Sequence, residues 1–140
     1  MTYTPIHFKV QELVDPEIYR ARGARALELL NPYVLEDIDT LRDELGSITI
    51  NDWLWGGKYK ESGLRRHDTS TGAQWSMHKF GGAFDLKFKD VTVREAAELI
   101  LSRAWKGITT IENPDATPTW LHIDGRNHRH VNAGILIVDP

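Results

Sequence analysis

The chain has 140 residues, of which 41% are hydrophobic and 26% charged, with a formal net charge of -3. That length suits one domain with a buried core, and the acidic balance argues against a nucleic-acid binder, whose mark is a basic patch or stripe. There is no cysteine, so disulfides and thiolate sites are excluded and any metal must be held by His, Asp or Glu. Residues 1–10 lack the basic region and apolar stretch of a signal peptide. No apolar run approaches the ~18 residues of a membrane span. The expectation is synthesis in the cytoplasm and no membrane insertion.

Asp15-Pro16-Glu17 is a helix start, with Asp as cap and Pro in the first turn. A helix to about residue 30 follows, ended by Asn31-Pro32. A second helix is expected over 33–45, with Val34, Ile38, Leu41 and Leu45 on one face and Gly46 as its stop. Residues 47–53 read as a strand and the polar stretch 56–74 as a long loop, a length that is usually functional or disordered. Residues 82–88 alternate, with Phe84, Leu86 and Phe88 on one face and Ala83, Asp85 and Lys87 on the other. Thr92-Val93-Arg94-Glu95 is a capping box that opens a helix to about residue 105. Strands are expected over 107–112, 119–124 and 133–138. Early helices (1–46) and late strands (47–140) predict a single α+β domain with an antiparallel sheet.

One constellation carries chemistry. His78 and Asp85 bracket the Gly81-Gly82 turn, which lets the backbone reverse closely. A catalytic zinc needs three protein ligands and one open position. The third comes from Trp120-Leu121-His122-Ile123-Asp124, where Trp120, His122 and Asp124 project to one face of a strand. Asp124 is suited to orient His122 from behind. A lone histidine in a strand is more often an ordinary polar residue; the combination of types and spacings is what singles these out.

The pattern resembles the zinc D-Ala-D-Ala peptidase family, which includes carboxypeptidases, endolysins that cut L-Ala-D-Glu bonds, and the Hedgehog domain as a relative in fold. Ser76, His78, Gly81, Ala83 and Asp85 match S-x-H-x-x-G-x-A-x-D, and Trp120, His122 and Asp124 match the later W-x-H and H-x-D. Ser62-Gly63-Leu64-Arg65 is similar to the family's S-G-Y-R, with Leu in place of the aromatic. The resemblance spans residues 47–138. It implies a Hedgehog-like fold, Zn2+ held by His78, Asp85 and His122, and substrate contacts from Arg65, Ser76 and Trp120. A fixed planar cation such as Arg65 suits an anionic partner or a developing oxyanion.

One position departs from the pattern. Several family members place a Glu or His three residues before the last ligand as general base, and here that residue is Thr119. Glu112, at the end of the strand expected beside His122, is the first replacement, if hairpin register turns it toward the metal. Asp115 in the turn is the second, and His67 enters if the long loop folds over the site. The function implied is hydrolysis of a peptidoglycan stem peptide by zinc-activated water, without a covalent intermediate. A monomeric phage-type protein, released to the wall by a lysis system or carried in a virion, fits. The alternative is an inactive zinc-containing binding or structural module, which Thr119 favours; a hydrolase of another amide is weaker. No Gly-rich phosphate loop precedes a helix. His7, His128 and His130 are unassigned, the last two as a weak second metal pair.

Overall fold

The computed structural model describes residues 1–128 and 134–140. Helices α1 (Val10–Leu13), α2 (Pro16–Arg22) and α3 (Pro32–Leu45) come first, then strand β1 (Ile48–Thr49). Strand β2 (Ala83–Phe88), helix α4 (Val93–Leu101) and strands β3 (Thr110–Glu112), β4 (Leu121–Asp124) and β5 (Leu136–Val138) follow. The architecture is α+β, with one sheet in the order β1-β2-β4-β3-β5. Among the described residues no helix is long and apolar enough to cross a membrane.

The caps expected at Asp15 and Thr92 form, and Asn31, expected only to end the first helix, caps the second. Asp15 accepts from the Glu17 amide, Asn31 from those of Tyr33 and Val34, and Thr92 exchanges hydrogen bonds with Glu95, satisfying amides that have no partner within the helix. Several elements are shorter than expected: the strands expected from residues 107 and 119 begin at Thr110 and Leu121, and three other elements end early. The helix from residue 16 stops at Arg22, because Gly23 takes φ 58 and the chain continues as a 3-10 helix over Gly23–Leu29. The strand expected over 47–53 closes after Thr49, where Asn51 and Trp53 instead donate side-chain hydrogen bonds to the Val14 carbonyl. Helix α4 ends at Leu101, and the Trp105 indole caps it by donating to the Ile100 carbonyl.

The sheet is mixed, not antiparallel as expected. β1, β2, β4 and β3 pair antiparallel, but β5 runs parallel to β3. The chain leaves β4 at one end of the sheet and passes through residues 125–135 before entering β5 in the direction of β3. Residue 133, where that strand was expected to begin, lies outside the described residues.

Register decides which side chains share a face. Phe84 pairs with Ile123, and Ile123 with Ile111. All three are fully buried and join Val34, Leu35, Ile38 and Leu41 of α3 and Ala96 and Ile100 of α4 in one core. Side chains alternate along a strand, so the neighbouring row must face away from that core. It contains Asp85 paired with His122, and the same register continued one residue along β3 brings Glu112 opposite His122.

Two glycines let irregular backbone approach this second face. Gly81 closes the 3-10 turn Met77–Phe80 at φ 77, and a Cβ there would lie 1.9 Å from the Leu29 carbonyl oxygen. Gly63 packs so closely on residue 13 that a Cβ would lie 2.1 Å from the Leu13 oxygen. Gly81→Ala is therefore expected to cost more than about 2 kcal/mol by denaturant unfolding, combining positive-φ strain with a backbone clash. A loss under about 0.5 kcal/mol would show that the turn relaxes freely.

Candidate metal centre

Four segments deliver the site. His78 comes from the 3-10 turn Met77–Phe80, whose N-cap Ser76 accepts the His78 amide through its hydroxyl oxygen at 3.3 Å. Asp85 and His122 come from adjacent positions of β2 and β4. Arg65 comes from the long loop, which is stitched to the site by Arg65 N–H to the His78 carbonyl (2.9 Å) and Asp85 N–H to the Ser62 carbonyl (2.7 Å). The Glu61 carboxylate ties the loop further by accepting from Thr69 and Thr71.

The second nitrogen of each histidine has a fixed job. His78 Nδ1 lies 2.9 Å from the Gly63 carbonyl oxygen, and an acceptor there requires Nδ1 to carry the hydrogen. His122 Nε2 lies 2.8 Å from Asp124 Oδ2, so it too carries hydrogen. In the neutral rings the lone pairs are then on His78 Nε2 and His122 Nδ1. These face each other at 3.2 Å and lie 3.2 and 3.0 Å from Asp85 Oδ1. The ligand atoms of His78, Asp85 and His122 all lie within 4.8 Å of one another. Three electron pairs aimed at one point repel unless a cation sits between them. Two imidazoles and a carboxylate are the donors that zinc accepts when thiolates are absent, and each histidine is oriented by an acceptor behind it.

The chain matches no family model, no curated protein and no solved structure.

Without metal, a proton supplies the positive charge. Burial pulls the His122 pKa down, but its hydrogen bonds to Asp124 and Asp85, with their charges, outweigh that and lift it from 6.5 to about 9. Burial would raise Asp85, yet hydrogen bonds from His122 and His78 and their charge hold its carboxyl far below the ordinary range. Asp124 behaves alike: burial opposes ionisation, and the hydrogen bonds from His122 and Arg126 win, lowering it to about 2. A folded pKa above the unfolded one contributes stability that is complete below the unfolded value and lost as pH rises through the folded one. The metal-free protein should therefore lose stability as pH climbs from 6.5 to about 9. Zinc binds the deprotonated ring, so it should abolish or reverse that slope. Melting curves across this range, in chelator and in zinc, check it; parallel curves would mean that His122 does not meet the metal.

The cleft over these atoms has a volume of about 550 Å3. Arg65, Ser76, Glu112 and Trp120, all singled out by sequence, line it together with His78, Asp85 and His122. Glu112 Oε1 is 3.3 Å from His122 Nδ1, so the register leaves it facing the cluster. Arg65 Nη2 reaches Asp85 Oδ2 at 3.4 Å while its Nε donates to the Glu61 carbonyl at 2.6 Å. Trp120 is 38% exposed at the rim.

Other candidates lie elsewhere. Asp115 is held by an ion pair with Arg94 on the exposed surface and does not line the cleft. It is no longer a candidate base. His67 packs edge-on against Phe80, at 5.6 Å between ring centres, and lines a neighbouring cavity. Thr119 is exposed and outside the cleft. His7 pairs with Asp43 at 2.6 Å. His128 borders a separate cleft with Tyr33 and Trp105, and His130 lies outside the described residues.

Two contributors escaped the sequence reading. Arg126 grips both oxygens of Asp124, at 2.9 Å through Nε and 2.6 Å through Nη2. The chain Arg126–Asp124–His122 thus fixes the ring from behind. Its only sequence signal is the two-residue spacing from Asp124, which is weak beyond a strand end. Trp75, 75% exposed, also lines the cleft. Arg126→Gln should lower zinc affinity about 10–100-fold, the usual range for loss of a partner behind a ligand. A competition titration with a chelating dye reads this, and unchanged affinity would remove Arg126 from the site.

Proposed function

We propose that the chain is a zinc metallopeptidase that hydrolyses peptidoglycan stem peptides, as a D-Ala-D-Ala carboxypeptidase or an L-Ala-D-Glu endolysin, on a Hedgehog-like fold. The observation that carries this reading is the row Glu112–His122–Asp85 across three strands, completed by His78, inside an open cleft. It combines three groups that could hold a metal, a further carboxylate beside them and space for a substrate, which is what metal-assisted hydrolysis requires. The peptide substrate and the D-residues rest on the motif resemblance alone.

His78 Nε2, Asp85 Oδ1 and His122 Nδ1 would hold Zn2+, which when bound would supply Lewis acidity and lower the pKa of water there. Glu112 takes the proton from the attacking water on one carboxylate oxygen and returns it to the amine that leaves. Arg65 offers its guanidinium to the carbonyl oxygen as negative charge develops there, or to a carboxylate of the substrate. Arg126 and Asp124 keep the Nε2–H tautomer of His122. Trp120 and Trp75 form walls against which a peptide lies, and the Ser76 hydroxyl offers a hydrogen bond at the floor.

The test pairs metal analysis with mass spectrometry of stem peptides incubated with the protein. About one zinc per chain together with cleavage supports the reading. Zinc without cleavage of carboxypeptidase or endopeptidase substrates would instead favour a zinc-containing binding module, as Thr119 in the usual base position suggests. Absence of zinc would end both.

A further inference from the structure

Arg65 has only part of its guanidinium to offer. The residue is 9% exposed. Its Nε donates to the Glu61 carbonyl at 2.6 Å and its Nη2 to Asp85 Oδ2 at 3.4 Å. Nη1 has no hydrogen-bond partner among the described residues, yet it is not sealed from solvent. The backbone of Gly72, which lines the metal cleft, lies against that nitrogen, and a Cβ at Gly72 would stand 2.6 Å from it. A side chain at position 72 would therefore crowd the donor that the rest of the site leaves uncommitted. The loop that carries Gly72 is held by one carboxylate. Glu61 accepts from the Thr69 hydroxyl at 2.5 Å through Oε2 and from the Thr71 hydroxyl at 2.9 Å through Oε1. The Thr71 amide donates in turn to the Thr69 hydroxyl oxygen at 3.2 Å. Glu61 thus grips Arg65 through its backbone and the loop against Arg65 through its side chain.

We propose that Glu61 and Gly72 are positioning residues for Arg65: the Glu61 carboxylate clamps the 69–72 loop against the guanidinium, and Gly72, lacking a side chain, leaves Nη1 as the donor that a substrate oxygen meets. The substrate in this statement rests on the peptidase reading; the clamp does not. An arginine fixed at Nε and Nη2 has already lost the rotamer freedom that a loose one would give up on binding. Its remaining donors are aimed before the substrate arrives. That matters for a group that stabilises developing charge, since a misplacement of about 1 Å can cost on the order of 10²-fold in rate.

Three variants of the zinc-loaded protein test it. Thr69→Val with Thr71→Val removes both hydroxyls at nearly constant shape, and Thr69→Ser with Thr71→Ser keeps them. Gly72→Ala pushes on Nη1, the movable end of a side chain. The valine pair and Gly72→Ala should each lower kcat/KM for stem peptides by about tenfold or more, and the serine pair by less than about threefold. Zinc affinity should stay within about threefold of wild type in all of them, which separates the clamp from the metal site. In an Arg65→Lys background the valine pair should add less than about twofold, because its effect runs through the guanidinium. The clamp is also read without substrate, from exchange of the Arg65 Nε–H with solvent by NMR. Exchange should be slow in the wild type and the serine pair, and about tenfold faster or more in the valine pair. Wild-type kcat/KM in the valine pair, a full additional loss in the Arg65→Lys background, or unchanged Nε–H exchange would each overturn the proposal. If the valine pair does not fold, Gly72→Ala decides by the same two readouts. If no stem peptide is cut even by the wild type, the peptidase reading fails, and Nε–H exchange alone decides the clamp.

Discussion

Zinc should raise the melting temperature of the wild-type protein by roughly 10 °C, and His122→Ala should lose that response. At a zinc concentration 1,000 times the dissociation constant, binding to the folded state adds about 4 kcal/mol. For a domain of this size each kcal/mol moves the midpoint by a few degrees, about 2–4 °C in somewhat larger domains. His122→Ala removes one of the three convergent electron pairs and also leaves the buried Asp124 with Arg126 as its remaining ion-pair partner. The baseline melting temperature should therefore fall as well, and the response to metal is the informative quantity. Asp85→Asn offers a second route, since it keeps the side-chain volume and removes the anionic ligand. Both variants should show a zinc-induced shift of less than about 2 °C. A wild-type protein that is indifferent to zinc, or an Asp85→Asn variant that responds as the wild type does, would refute the metal centre. Differential scanning fluorimetry with added zinc and with chelator is sufficient.

Glu112→Gln should separate binding from chemistry. Glu112 faces the cluster from the edge of the row and is not among the three convergent ligands. Its amide variant should hold zinc within about threefold of wild type and cut kcat/KM by about 10²–10⁴, the usual contribution of a positioned proton carrier. Asp115→Asn is the matched control. Asp115 sits on the surface with Arg94, and its loss should change kcat/KM by less than about twofold. Stem-peptide cleavage followed by mass spectrometry gives the rates. Full activity in Glu112→Gln would place the proton carrier elsewhere. A loss of zinc together with activity would recast Glu112 as a ligand.

The convergence of His78, Asp85 and His122 was legible in sequence because two of the three lie seven residues apart around one glycine turn. Local spacing fixes that geometry almost without reference to the rest of the fold. Two helix starts were readable for the same reason, since Asp15 and Thr92 each cap amides two or three residues away, whereas Asn31 was legible only as the end of the helix before it. What escaped depends on partners distant in the chain. The helix from residue 16 carried its apolar pattern past Gly23, and only the backbone shows the glycine leaving the helical region. The strand after residue 46 gave up its last residues to hydrogen bonds with Val14, more than thirty positions earlier. The direction of β5 depends on the path of the chain between β4 and β5, which periodicity does not encode. Whether Glu112 faces the His78–Asp85–His122 cluster was a question of pairing register, and two of the candidate bases, Glu112 and Asp115, lie only three residues apart.

That register has a consequence for how the site tolerates error. Ile111, Ile123 and Phe84 form one row of the sheet, and Glu112, His122 and Asp85 form the next. A slip of β4 by one residue would turn His122 into the hydrophobic interior and Ile123 into the cleft. Such a misfold would be rejected by its buried imidazole and bared isoleucine, with no reference to catalysis. The oily side of the sheet thus proofreads the polar side, and the spacing of His122 from Asp85 is inherited from the pleat itself. Conservative changes at the fully buried Ile123 or Ile111 should accordingly cost stability and also disturb the spacing of His122 from Asp85.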